Sequence, residues 1–512
     1  MPKRWATEYA DRIAVATQEE EYTYLEMAGR IQKLANGLYH LGIRKGDHVI
    51  VQLPNTMAFI DVFFALERIG AYPVLTLPAH RRADLEEIFR LVSPTAYIVP
   101  ESYLGYRYEE MARDMRQRFP SIQYLICDGE MEESISLDTL YRQEEENYEM
   151  PSYDDMAHLL LSGGSTGTPK LIPRGHGEYL YNAQMAAKRC RVTKEDVLLV
   201  TVPISHNFSL SAFGILGAFM NGAKVVLCPY PSADEMLPLI EEQEVTALQL
   251  VPALVASLLD MLTWEDAYDI SSLRVLLVGG AVFEKELALR VEKELPCKLI
   301  QVFGTAEGII CMTSLEDSYE VSASCQGTPI SKYDEIRIVD ENLDDVKQGE
   351  FGEFIERGPY TIHEYYKASK EVNEAAFTPS GFYRTGDKAK IDEHGNLLVA
   401  GRIKEQINKG GEKIMPIEVE EHLCRAQVIK SASVVGVPDE VMGHRICAFV
   451  VADAPVSLSM ARGLLKESGL PEYKMPDDVF MLEDFPLTKL GKIDKTALQE
   501  LAEQKVGAQH GL

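Results

Sequence analysis

The chain has 512 residues, 46% of them hydrophobic and 25% charged, which is typical of a folded protein with more than one domain. It carries 51 basic and 79 acidic residues, and its formal net charge of −28 argues against a nucleic-acid partner or an anionic membrane surface. Because no apolar run is long enough to span a bilayer and the amino terminus lacks a signal-peptide core, we expect a cytoplasmic protein with no membrane partner. Eight scattered cysteines without C-x-x-C or matching histidine spacing suit reduced thiols better than disulfides or zinc.

The first part of the chain alternates between strands and helices. Predicted strands at 48–53 and 72–77 flank an apolar-faced helix at 56–69. The alternation favours an α/β fold with largely parallel sheets, and its extent of about 300 residues favours more than one sheet. Further strands are predicted at 197–202, 223–228, 246–251, 274–278 and 298–303, with helices at 232–243 and 283–295.

The pattern changes after about Tyr333 to shorter strands and glycine-marked turns. Strands at 335–339, 352–356 and 396–399 indicate a small β-rich subdomain, 331–403, within a large domain of 1–403. A glycine-rich joint follows, and then a mixed pattern of helices and strands. We therefore predict a separate small α+β C-terminal domain, 404–512. Its predicted helices are 416–424, 457–468 and 495–504, and its predicted strands are 432–437 and 446–451.

A loop rich in glycine and hydroxyl groups follows the apolar run Leu159–Leu161. The nine residues from Ser162 to Lys170 include three Gly, two Ser and two Thr. Such a loop can wrap a phosphate chain with its backbone N–H groups, and Lys170 would supply positive charge. A Walker A loop does not fit, because Gly167 is followed by Thr-Pro-Lys-Leu and not by Lys and a hydroxyl residue. A solvated turn is the competing interpretation.

Four further stretches carry polar groups at predicted strand ends or turns. Each has a plain structural alternative: a satisfied core histidine at His206, a tight strand–helix turn at Gly279–Gly280, a helix-start acid at Glu307 and a simple turn at Thr385–Asp387. Each signal is weak alone, but their order and spacing together are specific. The stretches are SHNFSL (205–210), VGGA (278–281), QVFGTAEG (301–308) and GFYRTGD (381–387).

This set resembles the acyl-adenylate-forming, or AMP-binding, superfamily of acyl-CoA synthetases, peptide-synthetase adenylation domains and luciferases. The resemblance covers the chain from about Tyr24 to Lys492. The stretches 206–208, 301–308 and 402–413 look most like the stand-alone aryl-acid–AMP ligases of siderophore pathways, such as 2,3-dihydroxybenzoate–AMP ligase. The resemblance implies ATP-dependent conversion of a hydroxybenzoate-type acid to its acyl-adenylate, with Mg²⁺ and release of pyrophosphate.

The resemblance also implies where ATP would bind. Asp387 would accept hydrogen bonds from the ribose hydroxyls, with Arg402 close by. Thr166 and Glu307 would lie near Mg²⁺. The departing phosphates would be held by Ser162, Gly163, Gly164, Ser165, Thr166, Gly167 and Lys170. The adenine and adenylate would be bordered by Gly280, Ala281, Val302, Phe303, Gly304 and Val399, and Thr305 would be a further cofactor-binding residue.

By the same resemblance, Lys492 matches the catalytic lysine that bridges the acid carboxylate and the phosphate, with His206 and Glu307 as further catalytic residues. A surface lysine at a helix start is the alternative. The second half-reaction needs a thiol on the face that Lys492 occupies. The family solves this by swinging the C-terminal lobe about a hinge, which maps to Lys404. A plain interdomain linker is the alternative there.

The residues of the implied acid pocket bear on the substrate. A neutral Asn207 disfavours an amino acid, whose ammonium is usually paired with an Asp in relatives, and Phe208 offers a flat wall for a ring. Ala212 replaces the usual Ser of catechol-type members, and Ile310 is bulkier than the usual Val. A second ring hydroxyl left unpaired would cost about 1–3 kcal/mol, so salicylate, benzoate and other aryl acids stay open. The predicted pocket consists of Asn207, Phe208, Ala212, Gly279, Gly280, Val302 and Ile310.

The expected acyl acceptor is the phosphopantetheine thiol of a separate aryl carrier protein. Only about twenty residues follow Lys492, and they contain no Ser-bearing carrier motif. Free CoA is the alternative acceptor, which would make the chain an aryl- or acyl-CoA synthetase. Two other hypotheses are a non-catalytic nucleotide- or aryl-acid-binding protein and a Walker-type NTPase. The sequence leaves the acid, the pathway and the oligomeric state open.

Overall fold

A computed structural model describes residues 1–144, 146–162, 170–264, 268–281, 283–410, 412–426, 428–439, 442–489 and 491–510. Within these ranges the α-helices are α1 (Pro2–Tyr9), α2 (Tyr24–Leu41), α3 (Met57–Ile69), α4 (Arg82–Val92), α5 (Glu109–Arg118), α6 (His176–Arg189), α7 (Asn207–Ser211), α8 (Ile215–Met220), α9 (Ala233–Glu242), α10 (Pro252–Trp264), α11 (Lys285–Glu294), α12 (Tyr319–Ser322), α13 (Lys370–Ala376), α14 (Pro416–Cys424), α15 (Leu458–Glu467) and α16 (Lys495–His510). Short 3₁₀ helices cover Leu137–Leu140, Ile403–Glu405 and Glu472–Lys474.

The strands of the described residues form four larger sheets and one two-stranded hairpin. They are β1 (Ile13–Ala16), β2 (Glu21–Thr23), β3 (His48–Val51), β4 (Tyr72–Leu75), β5 (Ala96–Pro100), β6 (Ser102–Tyr103), β7 (Tyr106–Arg107), β8 (Tyr124–Asp128), β9 (Ile135–Ser136), β10 (Met156–Leu161), β11 (Leu171–Gly175), β12 (Val197–Val200), β13 (Lys224–Leu227), β14 (Ala247–Leu250), β15 (Val275–Gly279), β16 (Lys298–Gly304), β17 (Ile310–Met312), β18 (Thr328–Pro329), β19 (Glu335–Val339), β20 (Gly352–Arg357), β21 (Tyr383–Ile391), β22 (Leu397–Arg402), β23 (Ile407–Lys409), β24 (Glu412–Ile414), β25 (Ile429–Asp439), β26 (Gly443–Ala452) and β27 (Asp478–Met481).

The first sheet has nine strands in the order β18-β17-β16-β15-β14-β12-β13-β1-β2. Its middle strands, from β16 to β1, run parallel, and the antiparallel strands lie at the two edges. The chain passes from β12 to β13 on one side and then crosses to β14 on the other. This change of direction leaves a crevice at the carboxyl ends of β12 and β14, where α/β sheets commonly bind ligands.

The second sheet has seven strands in the order β11-β10-β4-β3-β5-β8-β9, all parallel except β11. Buried residues of both sheets share one hydrophobic core, which also contains residues of α2, α3, α6 and α8. A second core covers the outer face of the nine-stranded sheet with α9, α10 and α11, and a third covers the seven-stranded sheet with α4 and α5. Helices therefore lie between the two sheets and on their outer faces.

Local sequence explains the ends of the helices between the sheets. Thr23 begins α2 with a capping box to Glu26, and Thr56 caps α3 by accepting from the N–H of Phe59. Helix α3 ends at Gly70, whose φ of 75° is a left-handed conformation that suits glycine. The thirteen-residue α3 is buried almost throughout, because it packs against both sheets.

The remaining two sheets belong to smaller units. Strands β19-β20-β21-β22 form an antiparallel sheet, and β24-β23-β26-β25 with β27 form a five-stranded sheet packed against α14, α15 and α16. The predicted fold class is confirmed: two parallel-rich sheets, a β-rich subdomain and a small α+β C-terminal domain. Every strand and helix predicted above is present, with ends that differ by a few residues. Among the described helices, none combines the length and the apolar character needed to cross a membrane.

Candidate functional site

Three of the polar stretches meet at one edge of the nine-stranded sheet. Strands β12, β15 and β16 are parallel, so their carboxyl ends lie on the same side. These ends lead into the segments that carry Asn207, Gly280 and Thr305. Parallel pairing therefore brings together residues that are about a hundred positions apart in the chain.

Asn207 begins α7 and is 8% exposed. Its Oδ1 accepts hydrogen bonds from the hydroxyl of Tyr179 at 2.8 Å and from that of Ser211 at 3.3 Å. Its Nδ2 donates to the carbonyl oxygen of Thr305 at 3.5 Å. Because two donors already hold the oxygen, the group that Asn207 can still offer to a substrate is an amide N–H.

Phe208 and Gly279 form one wall of the predicted acid pocket. A Cβ at Gly279 would lie 2.8 Å from the carbonyl oxygen of Val302 and 3.5 Å from the Phe208 ring, so a larger residue does not fit there. Ile310 lies opposite Gly304 across the β16–β17 pair. Val302, Ala212 and Ile310 are 7%, 2% and 1% exposed, so the other predicted pocket residues with apolar side chains are buried.

Helix α7 is held in place by a residue that sequence reasoning missed. Gln249, at the end of β14, donates from Nε2 to the carbonyl oxygens of Phe208 at 3.1 Å and Ala212 at 2.7 Å. These bonds satisfy two carbonyls at the end of a five-residue helix. Gln249 lies in an otherwise apolar strand, and a single amide in such a strand is the feature from which a polar role could have been predicted.

Asp387 lies on the nucleotide side of the predicted site and is 4% exposed. Its Oδ1 is 3.1 Å from Nε of Arg402, which also donates from Nη1 to the carbonyl oxygen of Thr385 at 2.7 Å. Its Oδ2 has no hydrogen-bond partner among the described residues. Burial raises the pKa of the Asp387 carboxyl to about 6, against the lowering effect of Arg402. The free oxygen is an acceptor suited to a ribose hydroxyl.

The alternative interpretation of Thr385–Asp387 as a simple turn is wrong. All three residues lie within β21, and Asp387 pairs with Arg402 of β22. Gly386 has a φ of 71°, which places an irregularity inside the strand. The glycine produced the turn signal, but the tertiary pairing of β20, β21 and β22 makes it a distorted strand.

The predicted adenine wall draws on two sheets. Phe303 and Val399 pack against the same small apolar cluster, and the Phe303 ring meets that of Phe354 edge-on at 5.7 Å. Gly280 and Ala281 are exposed at the sheet edge, where Gly280 has a φ of 85°. Phe303 of β16 and Val399 of β22 thus lie at the contact between the nine-stranded sheet and the β-rich subdomain, and their adenine-binding role stays a prediction.

Glu307 lies between β16 and β17 and is 7% exposed. The reading of Glu307 as a helix-start acid is wrong, because the next element is strand β17. Its Oε1 accepts from the hydroxyl of Tyr365 at 2.7 Å, and that hydroxyl lies 3.3 Å from that of Tyr383. A Cβ at Gly308 would lie 2.4 Å from the buried carboxylate of Glu356, so the tight turn requires glycine.

The ends of the glycine-rich loop are the part of it that the structure describes. The N–H of Ser162 donates to the carbonyl oxygen of Lys170 at 3.0 Å, and the N–H of Lys170 donates to Oγ of Ser162 at 3.1 Å. The Lys170 ammonium lies 4.6 Å from the centre of the Tyr365 ring, so Lys170 and Glu307 share this tyrosine. Five predicted residues fall outside the described ranges, namely Gly163, Gly164, Ser165, Thr166 and Gly167.

Lys492 lies on a hairpin of the C-terminal domain that reaches the Gly280 turn. A Cβ at Gly280 would lie 3.5 Å from Cε and 3.9 Å from Nζ of Lys492. Burial lowers the pKa of Lys492 to about 8, and the positive charge of Arg402 lowers it further while Asp387 opposes the shift. The alternative of a surface lysine at a helix start does not fit, because Lys492 is partly buried and α16 begins only at Lys495.

His206 precedes Asn207 and faces the same space as Lys492. Burial and the charge of Lys492 together lower the pKa of His206 to about 3, so the ring is neutral near pH 7. Its Nδ1 accepts from the N–H of Phe208 at 3.2 Å and caps α7. Lys404, by contrast, is exposed in the 3₁₀ turn after β22. Its hinge role and the 403/404 boundary stay predictions.

Tyr179 and Tyr365 are the other site residues that the sequence analysis missed. Tyr179 lies on the buried face of α6, where helical periodicity indicates only core packing. Tyr365 lies between β20 and α13, far along the chain from Glu307. Among the described residues no group of three or more His, Cys, Asp or Glu side chains is arranged to hold a metal ion by itself.

Comparison with known proteins gives the family. Residues 2–366 match the model of the AMP-binding enzyme family, and residues 418–492 match that of the AMP-binding enzyme C-terminal domain. The 2,3-dihydroxybenzoate-AMP ligase of Bacillus subtilis is 43% identical over 508 residues, covering 98% of this chain and 93% of that protein. The salicyl-AMP ligase / salicyl-S-ArCP synthetase of Mycobacterium tuberculosis is 40% identical over 501 residues, covering 96% and 88%.

A solved structure agrees with this assignment. The apo structure of Mycobacterium smegmatis MbtA has a TM-score of 0.75 and 39% identity, and the match covers 98% of this chain and 93% of that one. The predicted similarity to aryl-acid–AMP ligases and the predicted enzyme class are confirmed. The chain belongs to the AMP-binding enzyme family and is an adenylate-forming ligase.

Proposed function

We propose that this enzyme activates a hydroxybenzoate-type acid with ATP and then passes the acyl group to the phosphopantetheine thiol of a separate carrier protein in the cytoplasm. The observation that carries the proposal is the burial and hydrogen bonding of Asn207. Its neutral amide is buried at the sheet edge with its oxygen held by Tyr179. An N–H donor beside an apolar wall suits an aryl acid with an ortho substituent and offers no countercharge to an amino acid's ammonium.

In the first step a carboxylate oxygen of the acid attacks the α-phosphorus of ATP and pyrophosphate leaves. Negative charge builds up around that phosphorus, and a fixed cation stabilises it. The Lys492 ammonium lies at the Gly280 turn, between the acid side and the nucleotide side. Asp387, with one oxygen free, orients the ribose, and the neutral His206 adds no competing positive charge. Positioning by these groups lowers the entropy cost of the attack.

The donor set fits a magnesium ion that arrives with the nucleotide. Glu307 supplies one buried carboxylate, and Mg²⁺ in such sites usually takes one or two carboxylates together with substrate phosphates. Thr166 is the second proposed ligand. When bound, the ion would neutralise charge on the phosphates of ATP. Lys170, beside Tyr365, adds a positive charge on the same side.

The second step needs room for a thiol to attack the acyl carbonyl. Lys492 occupies the space next to Gly280, so this hairpin has to move before the thiol enters. We place the hinge at Lys404, which lies exposed in the 3₁₀ turn that joins β22 to the C-terminal domain. The carrier thiol loses its proton and its sulfur forms the new C–S bond, while the C–O bond to the phosphate breaks and AMP leaves with the bridging oxygen.

The first test is acid-dependent exchange of labelled pyrophosphate into ATP. The panel contains salicylate, 2,3-dihydroxybenzoate, benzoate, an amino acid and a fatty acid. We expect exchange with at least one aryl acid and none with the amino acid or the fatty acid. Exchange with no aryl acid, or ATP hydrolysis that needs no acid, contradicts the proposal.

The acceptor is tested separately. The enzyme is loaded with the preferred acid and ATP, and is then offered free CoA or a phosphopantetheinylated aryl carrier protein. Faster acylation of the carrier supports the proposal. Faster acylation of CoA assigns the chain to the CoA synthetases and leaves the adenylation step unchanged.

A further inference from the structure

The position of Lys492 depends on a short hairpin whose two arms are bonded to each other. The N–H of Thr488 donates to the carbonyl oxygen of Lys492 at 2.6 Å, and the N–H of Lys492 donates to Oγ1 of Thr488 at 3.2 Å. The N–H of Gly491 donates back to the carbonyl oxygen of Thr488 at 2.9 Å. Lys489 lies on the same hairpin, so any contact that fixes Lys489 also restricts Lys492.

Lys489 forms an ion pair with Asp84 of the large domain. Asp84 lies in the first turn of α4, and its Oδ2 also accepts from the N–H of Arg81 at 2.7 Å. Partial burial opposes ionisation, but Lys489 and the Arg81 N–H lower the pKa of Asp84 below its ordinary value. The carboxylate is therefore charged near neutral pH and is held by its own helix cap.

The segment before α4 is a rigid support for Asp84. The buried side chain of Gln52 donates from Nε2 to the carbonyl oxygens of Leu77 and His80, both at 2.9 Å. The hydroxyl of Tyr108, also buried, donates to the carbonyl oxygen of Pro78 at 2.7 Å.

Arg81 completes this support from the surface. Its Nη1 donates to the carbonyl oxygens of Pro78 at 2.8 Å and His80 at 2.9 Å. Its guanidinium lies 3.6 Å from the centre of the Tyr106 ring. Three side chains thus fix the backbone that presents Asp84, whereas the hairpin it meets is largely at the surface, with Leu487 53% exposed.

We propose that Asp84 is a positioning residue for adenylate formation: it docks Lys489 and thereby holds the Lys492 ammonium at the Gly280 turn. The inference rests on the proposed function and adds a contact that acts on one half-reaction only. The hairpin has to leave before the thiol enters, so the ion pair stabilises the arrangement used in the first step. It contributes nothing to the second.

The expected effect is small because the pair is partly exposed. The side chains of Lys489 and Asp84 are 40% and 35% exposed, and ion pairs of this kind change an equilibrium by about two- to fivefold. Other contacts join the C-terminal domain to the large domain, such as the Lys413–Glu341 pair at 2.8 Å. That pair lies outside the hairpin and provides a matched control.

The experiment compares Asp84→Asn and Lys489→Met with the unchanged enzyme. Asparagine can still accept from the Arg81 N–H, so the helix cap is kept while the charge is lost. Two rates are measured: pyrophosphate exchange, and acylation of the carrier from a chemically supplied acyl-adenylate. We expect kcat of exchange to fall about two- to fivefold in each variant, with the transfer rate equal or higher. Lys489→Arg keeps the positive charge, so its rate of pyrophosphate exchange should equal that of the unchanged enzyme.

Two further measurements separate the pairing from a general structural effect. The double variant should lose no more exchange activity than either single variant, because both remove the same contact. Glu341→Gln removes a more exposed interdomain pair, with side chains 60% and 88% exposed, so it should change the ratio of the two rates less than Asp84→Asn does. Amide hydrogen exchange at 488–493 should be faster in Asp84→Asn, whether or not substrates are present.

Additive losses in the double variant, or an unchanged rate ratio together with unchanged amide exchange, would overturn the positioning role. These results are distinct from failure of the proposed function, which would show as no aryl-acid-dependent exchange in the unchanged enzyme.

Discussion

The two sides of the site are held in very different ways. Asn207 and Tyr179 are buried at the edge of a parallel sheet, and their hydrogen bond spans elements that form one core. Lys492 is carried on a surface hairpin of another domain, and the ion pair near it joins partly exposed side chains. In the proposed mechanism, the residues that recognise the acid belong to the core, whereas the catalytic Lys492 ammonium is carried on an element that moves away between the two reactions. The difference suits an enzyme that performs two reactions in one place.

Removing the Lys492 ammonium should lower activity more than any other change considered. Lys492→Ala should lower kcat for pyrophosphate exchange by about 10²- to 10³-fold, because one preorganised group at the reacting centre is typically worth this much. The unfolding midpoint should hardly change, since the side chain leaves no large cavity. Lys466→Ala, at an exposed position of α15, is the control. An exchange rate equal to that of the unchanged enzyme would favour a non-catalytic binding role for the hairpin.

The next effect concerns the nucleotide side. Asp387→Asn should raise the KM for ATP about tenfold to a hundredfold, because a charged acceptor for the ribose is lost. The KM for the acid should change little. Asp345→Asn, which alters an exposed pair with Arg337 in the same subdomain, serves as the control. A larger effect on the acid than on ATP would place the ribose elsewhere.

The pH dependence distinguishes the two sides again. Burial lowers the pKa of Lys492 to about 8, so the ammonium is present below this pH and is lost as pH rises through it. We expect kcat/KM for exchange to fall by about tenfold per pH unit above this value. In Lys492→Arg the guanidinium stays charged, so whatever activity remains should lose this alkaline decline. If Lys492→Arg shows the same decline of kcat/KM at alkaline pH, the decline is due to the titration of another group.

A smaller effect tests the buried recognition side. Tyr179→Phe removes the hydroxyl that holds Oδ1 of Asn207, and it should raise the KM for the aryl acid about two- to tenfold with the KM for ATP unchanged. Tyr181→Phe is a matched control on the same helix, because its hydroxyl bonds Ser331 instead. Equal effects of the two variants would indicate that α6 acts only through packing.

The smallest effect refines the substrate. Ala212→Ser adds a hydroxyl at a buried position of the predicted pocket, and it should shift the ratio of kcat/KM a few-fold from salicylate toward 2,3-dihydroxybenzoate. Ala288→Ser, buried in the core outside the nine-stranded sheet, controls for the general cost of a buried hydroxyl. A shift in the opposite direction would place the second ring hydroxyl away from Ala212.

The sequence predicted those parallel strands that are clear short apolar runs between turn signals, as at Val197–Val200 and Lys298–Gly304, but it missed Ala96–Pro100 and Tyr124–Asp128. It also singled out Asn207, Asp387 and Lys492, whose surrounding motifs are local. Contacts between distant segments leave no such pattern. From sequence alone Tyr179 is predicted to be a core residue, and only the packing of α7 beside α6 brings it to Asn207. Thr385–Asp387 is similarly predicted to be a turn, and only the pairing of β21 with β20 and β22 shows that it is part of a strand.

In the proposed mechanism, a buried acid pocket, the Asp387 carboxylate and the Lys492 ammonium meet around one acyl-adenylate. A crystal structure with a non-hydrolysable acyl-sulfamoyl adenosine tests it directly. We expect the ring between Phe208 and Ile310, the ribose hydroxyls on Asp387, and Nζ of Lys492 within hydrogen-bond distance of the sulfamate. An adenosine bound away from Asp387, or an acyl ring outside the pocket of Asn207, would contradict it.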